Sequence, residues 1–326
     1  LGLCLLALTA GGCSKKPTDP PPTPEPIYPP FEVTNETIIF VSNIDGSQWN
    51  LQPGWNLFLM NSDGSNITPR TSEKLDSDPA WSFDRKKIVF TKGGGSDTSY
   101  YHIYTMKNDG SELKCLTPSS QYTEGTSCWS PDMSTICFNR VDLTISGIKV
   151  FNLWLMDSNG TNQRQLTYLE HGAGNQEYSP DGTKIVFDSG YLGMNGFFYR
   201  VICIMNADGS NIQYITPNQP ADTNITCQEP AWSPDGTKIA YSCWLRDTMA
   251  IWIMNPDGTD KIKLSQKIGD VKDYHPSWSP DGTRICFQRK ERINEEITSN
   301  IWMVNVDGTN QHQITFNNQS HKPSWK

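Results

Sequence analysis

Two neighbouring segments, EPAWSPDGTKIAY (229–241) and AIWIMNPDGTD (250–260), contain the plan of the whole chain. The first runs from a polar residue to Trp232, through Ser-Pro-Asp-Gly, into a short apolar run. Proline presets φ for a tight turn and glycine accepts positive φ, so the flanking runs should fold back on each other as antiparallel strands. The second carries the apolar run Ile251-Trp252-Ile253-Met254 into Asn-Pro-Asp-Gly, another tight turn with glycine at a left-handed position. Each unit therefore reads as four strands. The fourth ends in Leu-Thr or a close equivalent, as at Leu116-Thr117, Leu166-Thr167 and Ile215-Thr216.

Both segments recur along the chain. The aromatic of the first falls at Trp81, Trp129, Tyr178, Trp232 and Trp278, in steps of 48, 49, 54 and 46. The turn residue of the second falls at Asp63, Asp109, Asn159, Asp208, Asp257 and Asp307, in steps of 46, 50, 49, 49 and 50. A period near 49 is in the range of propeller blades. The second segment occurs six times but the first is complete only five times. Its sixth copy is split: HKPSWK (321–326) is the first half and ETIIF (36–40) the second. The expectation is an all-β, six-bladed β-propeller of four-stranded blades over 35–326. A C-terminal strand pairs into the N-terminal blade and closes the ring, which removes exposed sheet edges.

Composition agrees with short strands and turns. Of 326 residues, 36% are apolar, 11% aromatic and 19% charged, with 25 glycines and 22 prolines. The net charge of −8 argues against a nucleic-acid binder, which needs a basic face to neutralise phosphates.

The W-S-P-D-G-x-x-I-x-F and I-W-x-M-N-x-D-G repeats resemble the TolB-like propeller repeat, across about residues 35–326. The resemblance implies a periplasmic or surface scaffold that binds proteins or ligands on one face. TolB itself pairs its propeller with a separate N-terminal domain. A proline-rich stretch stands there in this chain, which therefore reads as TolB-like and not as TolB. The opening LGLCLLALTAGG (1–12), followed by Cys13, resembles the end of a bacterial lipoprotein signal peptide, with Ala10 where leucine is usual. It is too short to span a bilayer as a helix. The resemblance implies lipidation at Cys13, a membrane tether, and an address in the cell envelope, periplasm or outer membrane. Residues 13–34 then form a stalk; SKKPTDPPPTPEPIYPP (14–30) holds eight prolines, which favour semi-rigid polyproline geometry.

Strand direction places the Ser-Pro-Asp-Gly and N-x-D-G turns at one end, similar in every unit and hence structural. The loops of varying length fall at the other end, where function usually resides. Two sets of candidate ligand-binding residues follow. The variable loops carry the aromatics Trp49, Trp55, Tyr100, Tyr101, Phe198, Tyr199 and Trp244, faces that can stack on sugars or anchor a protein, or pack between blades. The second set lies three residues before each aromatic of the first segment: Asp78, Thr126, Asn175, Glu229, His275 and Lys322. Since innermost strands line a propeller's channel, these six are expected to ring its mouth at the variable end, with Glu124 and Asp273 two residues further out. Such a ring can hold a ligand or a divalent cation; the plainer alternative is a solvated channel.

Catalytic signatures are missing. No G-x-S-x-G occurs, and the five histidines form no H-E-x-x-H spacing. No catalytic residues, metal set or cofactor are therefore expected. Related propeller lyases of pectic fragments use a multi-histidine metal site in the channel, to which this sequence would contribute His275 and His321. Of seven cysteines beyond Cys13, Cys137, Cys203 and Cys286 occupy apolar strand positions. Cys128/Cys137 and Cys227/Cys243 each flank a hairpin, and the second pair is the better candidate for a disulfide. The function expected is a membrane-tethered, non-catalytic monomer that binds an envelope protein or glycan through its variable face. The alternative is a polysaccharide lyase or hydrolase using the polar ring.

Overall fold

The computed structural model describes residues 30–44, 54–73, 75–94, 97–119, 121–144, 150–192, 198–216, 225–245, 248–266 and 269–325. Among them the elements are all strands, joined antiparallel with a single parallel contact between named strands. Four sheets have four strands each. A fifth has eight, being two four-stranded units joined at one parallel bridge, Met249 to Lys272. This is a β-propeller assembled from four-stranded units. The strand Ser320–Ser324 pairs antiparallel with Thr37–Ser42, so the ends of the chain share one sheet.

The turns form for the reason the sequence suggests. In the turn at 179–182, Ser179 Oγ donates to Asp181 Oδ1 at 2.6 Å and accepts from the Lys184 amide at 3.0 Å. The Thr183 amide donates to Asp181 Oδ1 at 3.0 Å, and Gly182 takes φ +71°. The same bonds recur at 233–236 and 279–282. Met133 and Arg85 occupy the left-handed position at φ +59° and +57° where two turns lack glycine. In the second turn type, the Ser210 amide donates to Asp208 Oδ1 at 2.9 Å beside Gly209 at φ +91°.

The outer strands are only two residues long, which leaves little unpaired edge. The hydroxyl that follows each extends the pairing by one bond. Ile103, Leu57, Leu153, Ile202, Ile251 and Ile301 donate their amides to Thr117, Thr71, Thr167, Thr216, Ser265 and Thr315 at 2.8–2.9 Å. This explains the recurrent Leu-Thr.

Among the described residues six apolar clusters form the core, five of them joining consecutive units. One unites Cys286, Ile301 and Met303 of the last unit with Phe40, Phe58 and Trp325 of the first. Trp325 is fully buried. Its indole donates to Asn35 O at 2.9 Å, its amide to Ser277 Oγ at 3.0 Å, and Arg284 lies over its ring at 4.7 Å. Packing begins before residue 35: Phe31 and Val33 lie against the cluster of Ile39, Val41, Leu57 and Leu59, so the last residues assigned to the stalk belong to the folded body.

Cys137, Cys203 and Cys286 are buried and free. Cys227 and Cys243 stand opposite each other on adjacent strands and are bonded. Cys128 and Cys137 also stand opposite each other but remain thiols; burial pushes the Cys137 thiol well up.

Candidate functional site

The six polar ring candidates occupy one structural position. They lie on the inner strands Asp76–Trp81, Tyr122–Trp129, Ala173–Tyr178, Thr226–Trp232, Val271–Trp278 and Ser320–Ser324. Each strand has a register shift there, between Ser77 and Ala80, Glu124 and Ser127, Gly174 and Glu177, Gln228 and Ala231, Tyr274 and Ser277, and in the sixth where it meets Ile39 and Val41. Such a bulge turns one residue out of the ladder. Asp78, Asn175, Glu229, His275 and Lys322 adopt left-handed φ of +49° to +58°. That conformation costs a non-glycine residue on the order of 1 kcal/mol. Strain of this kind persists where the surroundings impose it, and clusters at functional sites.

All six line one cavity of about 460 Å³. Its position departs from the expectation. The lining starts at the six and continues toward the turns, through Trp81, Trp129 and Ala231 to Phe83, Arg85, Pro180, Pro234 and Pro280. The residues one step upstream are not part of it. Among the described residues the six thus form the floor of a cavity that extends to the turn end. The bulge is the physical reason: it aims the six side chains inward in mid-strand, while upstream residues return to the ladder. Two residues upstream, Glu124 is buried and accepts from Arg140 Nε at 2.8 Å and from Thr117 Oγ1 at 3.0 Å. Asp273 accepts from Arg289 Nε at 2.7 Å and Nη2 at 2.8 Å. These acids hold sheets together and add nothing to a mouth. The register pair at that level is Asp76/Lys92, Glu124/Arg140 and Asp273/Arg289 in three units, and the disulfide Cys227/Cys243 in another.

The collar at the other end is formed by the turns. A Cβ on Gly236 would stand 3.6 Å from the Pro180 ring, and one on Gly282 3.7 Å from Pro234, so consecutive turns lie side by side. Phe83, 42% exposed, completes this apolar rim.

The floor is a chain of contacts between units. Lys322 Nζ donates to Asp78 Oδ2 at 2.8 Å and to Ser77 Oγ at 2.9 Å. Burial alone would raise the Asp78 carboxyl, but the charge and hydrogen bond of Lys322, with His275 and the Ser77 hydroxyl, together hold the acid below its ordinary range. The His275 amide donates to Glu229 Oε2 at 2.8 Å, and His275 Nε2 lies 3.3 Å from Oε1. Burial raises the Glu229 carboxyl against these bonds and that from Ser242. Burial, with Lys322 nearby, lowers the His275 imidazole to about 3, so it is neutral at physiological pH. The Asn175 amide donates to Thr126 Oγ1 at 3.1 Å. Asp188, missed at the sequence level, is fully buried and accepts from Asn175 Nδ2 at 2.7 Å and from the Glu229 amide at 2.9 Å, with Arg200 as its ion-pair partner. It follows the buried Phe187, as Thr91, Asn139, Ser242 and Gln288 follow their own aromatics, and this polar residue after the I-x-F run is the signal that could have found it.

The aromatic candidates do not converge. Trp55 packs edge-on against His321 at 4.5 Å, Phe198 against His171 at 5.8 Å, and Tyr199 stacks on Tyr191 at 5.4 Å. Lys272 Nζ lies 5.0 Å from the Trp244 ring centre. Tyr100 and Tyr101 are half-buried. Trp49 and Cys13 lie outside the described residues. Among the described residues no group of three or more His, Cys, Asp or Glu side chains could hold a metal ion.

The sequence profile of the TolB beta propeller domain matches residues 121–326. An uncharacterised protein of Agrobacterium fabrum is 27% identical over 164 residues, which are 49% of this chain and 52% of that protein. The chain thus spans about half the length of that curated relative. Among solved structures, TolB from Acinetobacter baumannii is similar with a TM-score of 0.66 at 18% identity, over 89% of this chain and 66% of that one. An oligogalacturonate lyase in complex with manganese gives 0.57 at 14% identity, over 86% of this chain and 73% of that one. At these identities the likeness is one of fold.

Proposed function

This chain belongs to the TolB β-propeller domain family, and from that premise we propose that it is a binding protein of the cell envelope. In this reading it is a closed ring of six four-stranded blades, tethered by lipid at Cys13 through the proline-rich stalk. Its cavity takes an extended segment of a partner protein. The disulfide Cys227–Cys243 supports an oxidising compartment outside the cytoplasm.

One observation carries the binding reading. At a single backbone position, every unit contributes a different polar side chain to one cavity. Mixed charge, amide and hydroxyl groups beneath an apolar collar of Phe83 and prolines suit a peptide, whose backbone offers donors and acceptors along its length. A glycan would call for open aromatic faces, and Trp81 and Trp129 are buried. The loop aromatics would form a second, separate contact surface. The test is a crosslinking pull-down of the full chain from cell envelopes, comparing the unaltered protein with Thr126→Trp, which fills the cavity, and with Phe198→Ala/Trp244→Ala. Loss of a captured protein with Thr126→Trp alone supports the cavity. Loss with the aromatic variant alone moves the site to the variable end.

A second reading rests on Glu229 and His275, an acid raised by burial touching a neutral imidazole in a cavity, a pairing suited to proton transfer. It predicts turnover of acidic oligosaccharides that Glu229→Gln abolishes while binding persists.

A further inference from the structure

We propose that the cavity faces the membrane that holds the tether, so that its ligand enters from the gap between the domain and that membrane while the variable loops face away. This rests on the tether reading above and adds a direction to it. The direction comes from where the chain joins the body. Asn35 is itself part of the cavity lining, and its carbonyl accepts from the Trp325 indole. The Glu36 carboxylate is bonded by Ser62, in the second type of turn, and by Arg284 Nη2 at 2.8 Å, just past the turn 279–282. Thr34 and Thr37 close a local turn through Thr34 N to Thr37 Oγ1 at 2.9 Å and Thr37 N to Thr34 O at 3.1 Å. Upstream, Phe31 and Val33 pack between the first two units, with Arg70 5.5 Å from the centre of the Phe31 ring.

Residues 31–37 are therefore fixed to the end of the ring where the turns and the cavity lie. Arg85 strengthens the attachment. It stands in a turn, and its guanidinium bonds both Thr37 O and Trp325 O, the first and last strands of the shared sheet. A pull along the stalk is borne at the rim of the cavity, not at the far end. A proline-rich stretch of residues 14–30 spans about 50 Å when extended. That gap admits an extended chain or a small domain. Bulkier folded partners would meet the outward-facing variable loops instead.

The experiment uses the full lipidated chain in vesicles that contain an acceptor-labelled lipid. A donor dye is placed through Lys86→Cys at the turn end, or through Ile297→Cys at the variable end, each in a Cys115→Ser background. Both native side chains are well exposed, at 80% and 66%. The ten-residue strands Arg284–Ile293 and Glu296–Asn305 run between the two ends and separate them by roughly 30 Å. Energy transfer to the membrane should be at least about two-fold greater from the turn-end dye, given that separation. Equal transfer, or more from the variable end, would overturn the orientation while leaving the tether intact. Failure of the protein to float with the vesicles would overturn the tether and the proposal with it.

Discussion

The turns and the ring lie four residues apart on the same strands, yet they obey different rules. At 179–182, 233–236 and 279–282 the sequence is Ser-Pro-Asp-Gly each time; four residues upstream stand Asn175, Glu229 and His275. The backbone is equally uniform in both places. Glycine at the turns takes φ +71° or +72°, and these three ring residues take +50° to +58°. In the turns the side chains serve the backbone: serine and aspartate satisfy local amides, so one solution recurs. In the ring the bulge is set by the strands around it, and the identity of the side chain is left free to vary. What differs at constant backbone is chemistry, and that difference marks the ring as the place to look for function.

The largest effect is expected at a turn. A Cβ on Gly258, at φ +83°, would lie 2.3 Å from Ile215 O of the preceding unit. Gly258→Ala should cost about 2–4 kcal/mol, read as a lower urea midpoint. A loss below about 0.5 kcal/mol would show that the turn is not backbone-limited.

Protonation sharpens the contrast between turn acids and buried acids. Burial opposes ionisation of Asp281, but bonds from Ser279 and Thr283 hold it at about 2 against 3.8 when unfolded. Its contribution is present above pH 4 and is lost as the pH falls toward 2. Asp76 has the opposite sign. Burial, against the pull of Lys92, raises it to about 6, so its contribution is present below about pH 4 and is lost as the pH rises through 6. Urea midpoints across pH 2–7 should show Asp281→Asn losing stability mainly above pH 4. Asp76→Asn should flatten the decline between pH 4 and 7. The same slope in both variants would refute the distinction.

A ring substitution should cost the fold less than a turn substitution and cost binding more. Thr126→Ala removes the acceptor of the Asn175 amide, a bond worth about 1 kcal/mol. The thermal midpoint should fall by a few degrees while ligand capture falls much further. The smallest effect is expected at the variable end, where Phe198 is 68% exposed. Phe198→Ser should stay within about 0.5 kcal/mol of the unaltered protein in the same urea titration.

Much of this architecture was legible because turn chemistry is local. Four residues suffice to specify Ser-Pro-Asp-Gly, and alternating apolar residues such as Ile185 and Phe187 specify the strand after it. The six ring positions were legible for the same reason, by counting back from each aromatic. What the sequence hid was the direction in which they open. A bulge is a register shift between two strands, and its trace here is the proline after the ring residue at 79, 230, 276 and 323. Proline is tolerated there because the bulged residue needs no ladder donor. Asp188 and Arg200 were hidden differently. Asp188, on the second strand, reaches Asn175 and the Glu229 amide only through the fold, and Arg200, on the third, pairs with Asp188.

The most direct test of the cavity as the binding site is photocrosslinking in intact cell envelopes. A photoreactive phenylalanine analogue is placed at Phe83 on the collar or at Phe198 on the variable end of the full chain. An adduct is expected from position 83 that disappears when Thr126→Trp fills the cavity. An adduct formed only from position 198, and unaffected by Thr126→Trp, would contradict the cavity as the binding site.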